Sequence, residues 1–308
     1  MSPDKRGIIN FLKPTGMSSF SAVSCVKRIL AGVKAGHTGT LDPLAAGVLV
    51  ICLGRGTKII PYLPEGKKEY IAEIKLGITT DTLDREGEIR SRNCNWRQIS
   101  RAQIEEIISD YRGRIEQIPP MFSAVHHQGQ RLYELAREGK TVEREPREVE
   151  IYDIELMGFN LPVLRLRISC SRGTYIRSLA RDLGEELGTG AHLSFLLRTR
   201  SGPFSLNEAH TCEEIINNVE DNQYHFLTPV DAPLPFKKLN VTDRARKKAV
   251  HGATLEQSDI NNSEQDFQPG DKVRIYTPDE EFISISEIRQ SDRGEPEFKP
   301  LRVFYEFT

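Results

Sequence analysis

A glycine-containing segment, residues 36–47, places His37 and Asp42 shortly before an apolar run at residues 48–53. Pro43 restricts the backbone of the residue that precedes it, which biases Asp42 towards an extended conformation. A carboxylate anchored in this way ahead of a buried strand could be preorganised for chemistry. It could equally form an Asx turn that caps the loop, and the residue types alone leave both interpretations open.

Spacing argues against three other kinds of site. The segment lacks the Gly-Lys-Ser/Thr ending of a phosphate-binding P-loop. His37 and Asp42 have no further histidine or carboxylate partners at ligand spacing, so we expect no metal site. The five cysteines are far apart in sequence and none forms Cys-x-x-Cys, which predicts neither a zinc cluster nor a disulfide framework.

Several further motifs follow one another along the chain. They are Lys13-Pro14-x-Gly16-x-Ser18-Ser19, Lys68-x-Tyr70 with Leu76-Gly77-x-x-Thr80-Asp81-Thr82-x-Asp84, Gln117-x-Pro119-Pro120-x-Phe122-Ser123-Ala124, Ser171-x-Gly173-Thr174-Tyr175-Ile176-Arg177-Ser178-Leu179 and Gly190-Ala191-His192-Leu193-x-x-Leu196. Together with residues 36–47 they resemble the TruB family of tRNA pseudouridine synthases over residues 7–235. One such block could arise by chance, whereas several in the right order are highly specific.

This resemblance implies the isomerisation of uridine to pseudouridine at position 55, in the T-loop of tRNA. The glycosidic N1–C1′ bond breaks and the base rejoins the ribose through C5, a reaction that needs no cofactor. The resemblance assigns Asp42 as the nucleophile, and it leaves open whether Asp42 attacks the ribose C1′ or the base C6. Arg177 is the implied charge partner, because a guanidinium favours the ionised carboxylate.

The resemblance implies roles for five more side chains. Tyr70 stacks on the target base and is a candidate proton acceptor, and Tyr175 is a second aromatic residue of the pocket. Leu196 is an apolar residue of the pocket. His37 fills the space that the flipped base leaves in the RNA, which partly offsets the cost of flipping. Lys13 supports the loop or a nearby phosphate.

The chain departs from the family pattern at two places. His126-His127 stands where the family often has a basic residue, and Leu197 stands where a second arginine commonly precedes Arg198. Both positions concern RNA contacts or packing more than chemistry. We therefore expect them to affect the affinity for RNA and not the reaction itself.

The sequence also predicts the elements that position these residues. Periodicity and caps predict helices from Ser18 or Ser19 to Gly32, from Ser100 to Gly113 with a capping box at Gln103, at residues 129–139 and at residues 174–187. Strands are predicted at residues 7–12, 48–53, 68–76, 149–156 and 163–170. Since they do not alternate as regular βαβ units, the predicted fold class is α+β, with a mixed, largely antiparallel sheet flanked by helices.

The length predicts two domains. The chain has 308 residues, and a domain has about 150. The proline-rich residues 228–235 interrupt regular structure, and short strands are predicted at residues 273–276, 282–285 and 301–304. We expect a catalytic domain over residues 1–235 and a small β-rich domain over residues 239–308, where the family carries a PUA-type RNA-binding domain. This second domain is either an accessory module or a structural cap on the catalytic sheet.

The net charge excludes a basic, histone-like protein, because 42 Lys and Arg stand against 44 Asp and Glu. Residues 1–70 nevertheless hold ten basic and four acidic residues, and residues 165–200 hold seven and three. Residues 201–236 hold six acidic residues and no Lys or Arg. Two basic regions in a neutral chain fit a face that follows phosphates, although an ordinary solvated surface would have the same composition.

The apolar residues 44–53 are about half the length of a membrane-spanning helix, so we expect a soluble, cytoplasmic protein that acts on the T-arm of tRNA as a monomer. A non-catalytic tRNA-binding or RNA-folding protein on the same scaffold is the alternative. Asp42, Tyr70 and Arg177 favour the enzyme, since a pure binder needs no carboxylate that faces a polyanion. A phosphotransferase is excluded because the phosphate loop and Mg²⁺ ligands are missing.

Overall fold

The computed structural model describes residues 6–64, 66–261, 267–292 and 294–305. The outer ends of the two expected domains, residues 1–5 and 306–308, lie outside the described residues, as does Glu65 of the basic region 1–70. The helices of the described chain are α1 Ser19–Ile29, α2 Arg101–Asp110, α3 Leu132–Arg137, α4 Ile176–Glu186, α5 Cys212–Glu220 and α6 Arg246–Val250.

The strands of the described chain form a large sheet, a smaller sheet and two short hairpins. The strands are β1 Gly7–Lys13, β2 Ala35–His37, β3 Ala46–Leu53, β4 Lys68–Leu76, β5 Ile78–Thr80, β6 Ile89–Arg92, β7 Gly113–Gln117, β8 His126–His127, β9 Gln130–Arg131, β10 Arg147–Asn160, β11 Val163–Cys170, β12 Ala191–Ser201, β13 Phe204–Ser205, β14 Leu227–Thr228, β15 Lys237–Asn240, β16 Leu255–Glu256, β17 Lys272–Tyr276, β18 Phe282–Gln290 and β19 Pro296–Val303.

The large sheet has the strand order β14-β1-β3-β12-β4-β11-β10-β7, and β2 and β13 add to β3 and β12 at its side. Strands β3 and β12 pair in parallel, and the other neighbours in this order pair antiparallel. Helices α1, α2, α4 and α5 pack against the sheet or one another. The predicted α+β class with a largely antiparallel sheet is confirmed.

The continuous apolar run of β3 follows from burial on both of its faces. Leu49, Ile51 and Leu53 belong to the core beneath the helices. Val48 and Val50 point to the opposite face, into a second apolar cluster. A strand covered on both faces loses the polar alternation that a strand with one solvated face shows. By contrast, β4 buries every second residue from Tyr70 to Leu76, as its alternating sequence predicts.

Helix α1 begins where the sequence predicts it. Ser18 is the N-cap, and its hydroxyl accepts the backbone N–H of Ser21 at 3.0 Å. The predicted capping box of α2 is also present, between Ser100 and Gln103. The helix predicted at residues 129–139 is wrong in its first part, because Gly129 lies at a φ of +86° in the turn between β8 and β9. Helical structure there begins only at Leu132.

The carboxyl-terminal residues form a separate five-stranded sheet in the order β15-β17-β18-β19-β16, which confirms the predicted β-rich module. It has an apolar core of its own. It also packs on the large sheet, since Ile285 and Phe304 are buried in the same cluster as Ile8 and Val50. The side chain of Arg55, which follows β3 of the large sheet, donates a hydrogen bond to the carbonyl of Tyr305 at 2.5 Å. These contacts favour the structural cap over the loosely attached accessory module. In the part of the chain that the structure describes, no helix is long and apolar enough to cross a membrane.

Removal of residues 239–308 is therefore expected to destabilise the remaining protein. Burial of large apolar side chains such as Ile285 and Phe304 contributes about 1.5–3 kcal/mol each, and their loss also uncovers the face of β1 and β3. A loss of about 3 kcal/mol corresponds to a melting midpoint roughly 10 °C lower for a domain of this size. Thermal unfolding of residues 1–238 and of the full chain measures the difference.

The matched control is Phe304→Ala in the full chain, which removes one contact and keeps the module. It should lower the midpoint by less than the truncation does. Equal midpoints for the truncated and full chains would show that the module folds and acts independently of the first sheet.

Candidate active site

The loop that carries Asp42 joins β2 to β3 and is held on both sides of this residue. The hydroxyl of Ser19, at the start of α1, accepts the N–H of Leu41 and donates to its carbonyl, both at 2.8 Å. The N–H of Gly16 donates to the carbonyl of Pro43 at 2.8 Å. The N–H of Ala45 donates to the carbonyl of Asp42 at 3.0 Å. The motif that contains Ser19 therefore fixes the backbone of the aspartate loop.

Arg198 holds the same loop from the side of β12. Its side chain is almost completely buried and donates to three backbone carbonyls, those of Val48 at 2.7 Å, Gly39 at 3.1 Å and Thr40 at 3.3 Å. The fork of five N–H donors in a guanidinium suits such a cluster of carbonyls. Gly47 makes the close approach possible: a Cβ there would lie 2.2 Å from the carbonyl oxygen of Arg198, and its φ is +108°.

The Asp42 carboxylate is directed at a guanidinium and not at its own loop. Its Oδ2 lies 2.9 Å from Nη2 of Arg177, in the first turn of α4. Arg177 also donates to the carbonyls of Phe122 at 2.8 Å and Thr82 at 3.1 Å. Its Nη1 lies 3.6 Å from Oδ2 of Asp84, a second buried carboxylate. The Asp42 side chain keeps 34% of its surface exposed, so it is oriented by Arg177 and still open to a ligand.

Asp42 opens into a cavity of about 230 Å³. The walls combine an aliphatic side, two tyrosines, hydroxyls and a lysine. They are formed by Thr40, Leu41, Asp42, Lys68, Tyr70, Ser123, Ala124, Gly173, Thr174, Tyr175, Ile176, Arg177 and Leu196. Flat aromatic walls can bind a planar ring by stacking. The single carboxylate beside them can then attack a carbon of that ring or one attached to it.

The structure brings five of the seven predicted side chains to this cavity, namely Asp42, Tyr70, Arg177, Tyr175 and Leu196. Tyr175 precedes α4, and its N–H donates to Oε1 of Gln117 at 2.7 Å, which fixes the start of that helix. Burial raises the pKa of Tyr70, and the nearby Arg198 guanidinium opposes this shift. The phenol is therefore protonated at neutral pH.

Lys13 and His37 do not line this cavity. Lys13 is fully buried and donates to the carbonyls of Met17 at 2.6 Å and Pro14 at 2.9 Å, so the structure favours its loop-supporting role over a contact with phosphate. Burial lowers the pKa of Lys13 to about 8. His37 is half-buried on β2, where burial and Arg198 lower its pKa.

Sequence reasoning missed three side chains that organise the site. Asp84 and Ser19 stand inside motifs quoted for the family resemblance, but neither motif indicates what the side chain contacts. Arg198 carries a signal that could have been used. It follows the apolar residues 195–197, a run that could have indicated the buried strand that the sequence analysis did not predict, and an arginine on a buried strand needs several acceptors. Among the described residues, no group of three His, Cys, Asp or Glu is placed to hold a metal ion.

Two family models match the chain. Residues 27–176 match the TruB family pseudouridylate synthase N-terminal domain, and residues 177–235 match the tRNA pseudouridylate synthase B C-terminal domain. The tRNA pseudouridine synthase B of Syntrophomonas wolfei is 43% identical over 303 residues, which cover 97% of this chain and 98% of the relative. That of Francisella tularensis subsp. tularensis is 51% identical over 290 residues, or 94% and 92% of the two chains. The chain belongs to the TruB family.

Solved structures resemble this TruB-family chain over its whole length. An H/ACA RNP bound to a substrate RNA that contains 2′-deoxyuridine includes a chain with a TM-score of 0.71 and 26% identity, covering 97% of this chain and 85% of that one. A Cbf5-Nop10-Gar1 complex gives a TM-score of 0.70 and 28% identity over the same shares. The chain is thus a pseudouridine synthase in family and in fold, and the predicted membership is confirmed.

Replacement of Arg198 by lysine tests the clamp on the aspartate loop. The charge is kept, but one ammonium cannot reach the carbonyls on both sides of the loop, so buried acceptors lose their donors. Hydrogen bonds to charged groups contribute about 1.5–3 kcal/mol, and we expect Arg198→Lys to lower the free energy of unfolding by about 3 kcal/mol. Urea denaturation measures this loss.

Arg200→Lys is the matched control on the same strand. Arg200 is 43% exposed and lies 3.6 Å from Glu69, so its replacement should change the free energy of unfolding by no more than about 0.5 kcal/mol. Equal stabilities of the two variants would contradict the clamp.

Proposed function

We propose that the chain isomerises uridine to pseudouridine at position 55, in the T-loop of tRNA, as a cytoplasmic monomer. The observation that carries this proposal is the pairing of Asp42 with Arg177 at the mouth of a cavity with aromatic walls. The substrate is inferred from the names of the relatives, which are tRNA pseudouridine synthases.

The target base must leave the helical stack of the RNA to reach Asp42. Flipping costs a few kcal/mol, and the rings of Tyr70 and Tyr175 offset part of it by contact with the extruded base. We assign His37 to fill the space left in the RNA, and Leu196 to the apolar wall that excludes water. Lys13 acts at a distance, since it holds the turn that binds the aspartate loop.

Asp42 is the proposed nucleophile, and its attack at either C1′ or C6 has the same overall balance. The N1–C1′ bond breaks, the base turns within the cavity, and a C5–C1′ bond forms. C5 then loses its proton and N1 gains one, so the product is an isomer and no cofactor is consumed. Arg177 fixes the orientation of the Asp42 carboxylate before attack, so less conformational entropy is lost in reaching the transition state.

Tyr70 is the proposed acceptor for the C5 proton, through its hydroxyl. Because burial keeps this hydroxyl protonated, it accepts the C5 proton only as it passes its own proton to N1, the atom that gains one in the overall reaction. The Arg198 guanidinium favours the phenolate and so eases this exchange. In this role Tyr70 combines a stacking surface with a proton relay.

Asp42→Asn tests the nucleophile. The amide has nearly the same shape but is a poor nucleophile, so pseudouridine formation should fall below detection in carbodiimide mapping of unmodified tRNA. Binding of tRNA should be retained, since the loss of a negative charge does not weaken the attraction to phosphate. Turnover near the wild-type rate would contradict the assignment of Asp42. Product at a position other than 55 with the wild-type enzyme would contradict the proposed site on tRNA.

Tyr70→Phe separates stacking from proton transfer. The ring, with stacking worth about 1–3 kcal/mol, remains while the hydroxyl is lost. We expect the rate constant of a single turnover to fall by about a hundredfold or more, with the dissociation constant changed less than threefold. Tyr70→Leu should lose affinity as well. A normal rate for Tyr70→Phe would reduce Tyr70 to a stacking surface.

A further inference from the structure

A second cavity adjoins the first at the amino-terminal end of β4. Its volume is about 100 Å³, which is room for about three water molecules. Lys68 lines both cavities, so they meet at its side chain. The polar side of the second cavity is formed by Thr38, Lys68, Arg172, Ser201 and Gly202. Cations and hydroxyls are groups that bind an oxyanion, whereas the N–H of Gly202 already donates to the carbonyl of Lys67 at 3.0 Å.

The Lys68 ammonium lies against the loop that carries Asp42. A Cβ built on Gly39 would lie 3.2 Å from Nζ of Lys68, and 3.9 Å from the guanidinium of Arg198. Within the described ranges, no carboxylate forms an ion pair with Lys68. Among its neighbours, the Arg198 guanidinium has the strongest electrostatic effect on Lys68. The Cys170 thiol and then the Arg172 guanidinium follow.

Such an arrangement is unfavourable unless an anion completes it. Burial, and then the neighbouring Arg198 and Arg172 guanidinium groups, lower the pKa of Lys68 to about 8, and a bound anion would oppose this shift. The other buried cations of the site have acceptors: Lys13 and Arg198 bind carbonyls, and Arg177 binds carboxylates as well. Lys68 is thus a cation that lines both cavities, next to the loop that carries Asp42.

We propose that the second cavity binds a phosphodiester of the RNA next to the flipped uridine, with Lys68 as its central ligand. The inference rests on the proposed function, because it takes the flipped nucleotide to occupy the first cavity. A phosphate fits better than a base, since the cavity is small and is lined by the Lys68 ammonium and the hydroxyls of Thr38 and Ser201. With the phosphate held there, the ribose of the target nucleotide is fixed over Asp42, and Lys68 acts as a positioning residue.

The experiment is a double-mutant cycle between the protein and the RNA. Wild type and Lys68→Met are titrated with T-arm hairpins in which the phosphate on either side of the target uridine is replaced, one at a time, by a neutral methylphosphonate. Each hairpin is compared with a phosphate hairpin that carries the same 2′-deoxy sugar. Lys67→Met is the matched control, because Lys67 is exposed and lies over the ring of Tyr152.

On phosphate RNA, Lys68→Met should weaken binding about tenfold and reduce the slope of log affinity against log salt by about 1, whereas Lys67→Met should change the affinity less than twofold. At one of the two methylphosphonate positions, the effect of Lys68→Met should shrink to less than threefold. An equal loss on every hairpin would overturn the proposal, because a role in loop packing alone does not depend on the RNA charge.

The same wild-type preparation is tested for turnover on an all-ribose hairpin. If it forms no pseudouridine, the proposed function fails. If it forms pseudouridine but neither methylphosphonate couples to Lys68, only the phosphate site fails. Because the bound phosphate fixes the ribose over Asp42, Lys68→Met should also turn over more slowly at saturating RNA, and unchanged turnover at saturation would contradict the positioning role.

Discussion

The Arg177 guanidinium is the contact on which the rest of the site depends. It joins the Asp42 loop to the segment around Asp84 and to the carbonyl of Phe122, so three parts of the chain meet at one side chain. Both Arg177 and Asp84 are almost completely buried. Breaking a buried pair typically costs about 3–5 kcal/mol, because the remaining charge is left without a partner. The Asp42 carboxylate is therefore oriented by the same contact that joins these parts of the chain.

The strand order explains how these distant residues meet. Strands β3 and β12 form the parallel pair of the large sheet, and its register sets Arg198 opposite Gly47. This register brings the Arg198 guanidinium beneath the aspartate loop, while β4, on the other side of β12, delivers Tyr70 next to it. Helix α4 follows β11, the strand beyond β4, and its first turn supplies Arg177. The cavity thus lies where loops from neighbouring strands converge.

Local patterns in the sequence predicted many of the longer elements but not the central strand β12, and the motifs predicted most of the cavity. The apolar run of β3, the alternation of β4 and the cap at Ser18 are local features, so periodicity and capping were sufficient. The acceptors of Arg198 and the position of Lys68 between two cavities could not be predicted, because they depend on which strands become neighbours. The helix start near Gly129 was placed too early, since a hairpin turn overrides helical periodicity there. The packing of Ile285 and Phe304 on the large sheet likewise depends on tertiary contacts.

The distribution of charge explains how a chain with a net charge of −2 can attract a polyanion. Lys13, Lys68, Arg177 and Arg198 gather around one loop, and the carboxylates that pair with Arg177 are Asp42 and Asp84. Most of these cations are bound to neutral carbonyls, which satisfy their hydrogen bonds without cancelling their charge. In a site partly shielded from water, such charges act more strongly than the same charges on an open surface. The six acidic residues of the segment 201–236 offset much of this positive charge in the total, so the net charge of the chain does not reveal the local cluster of cations.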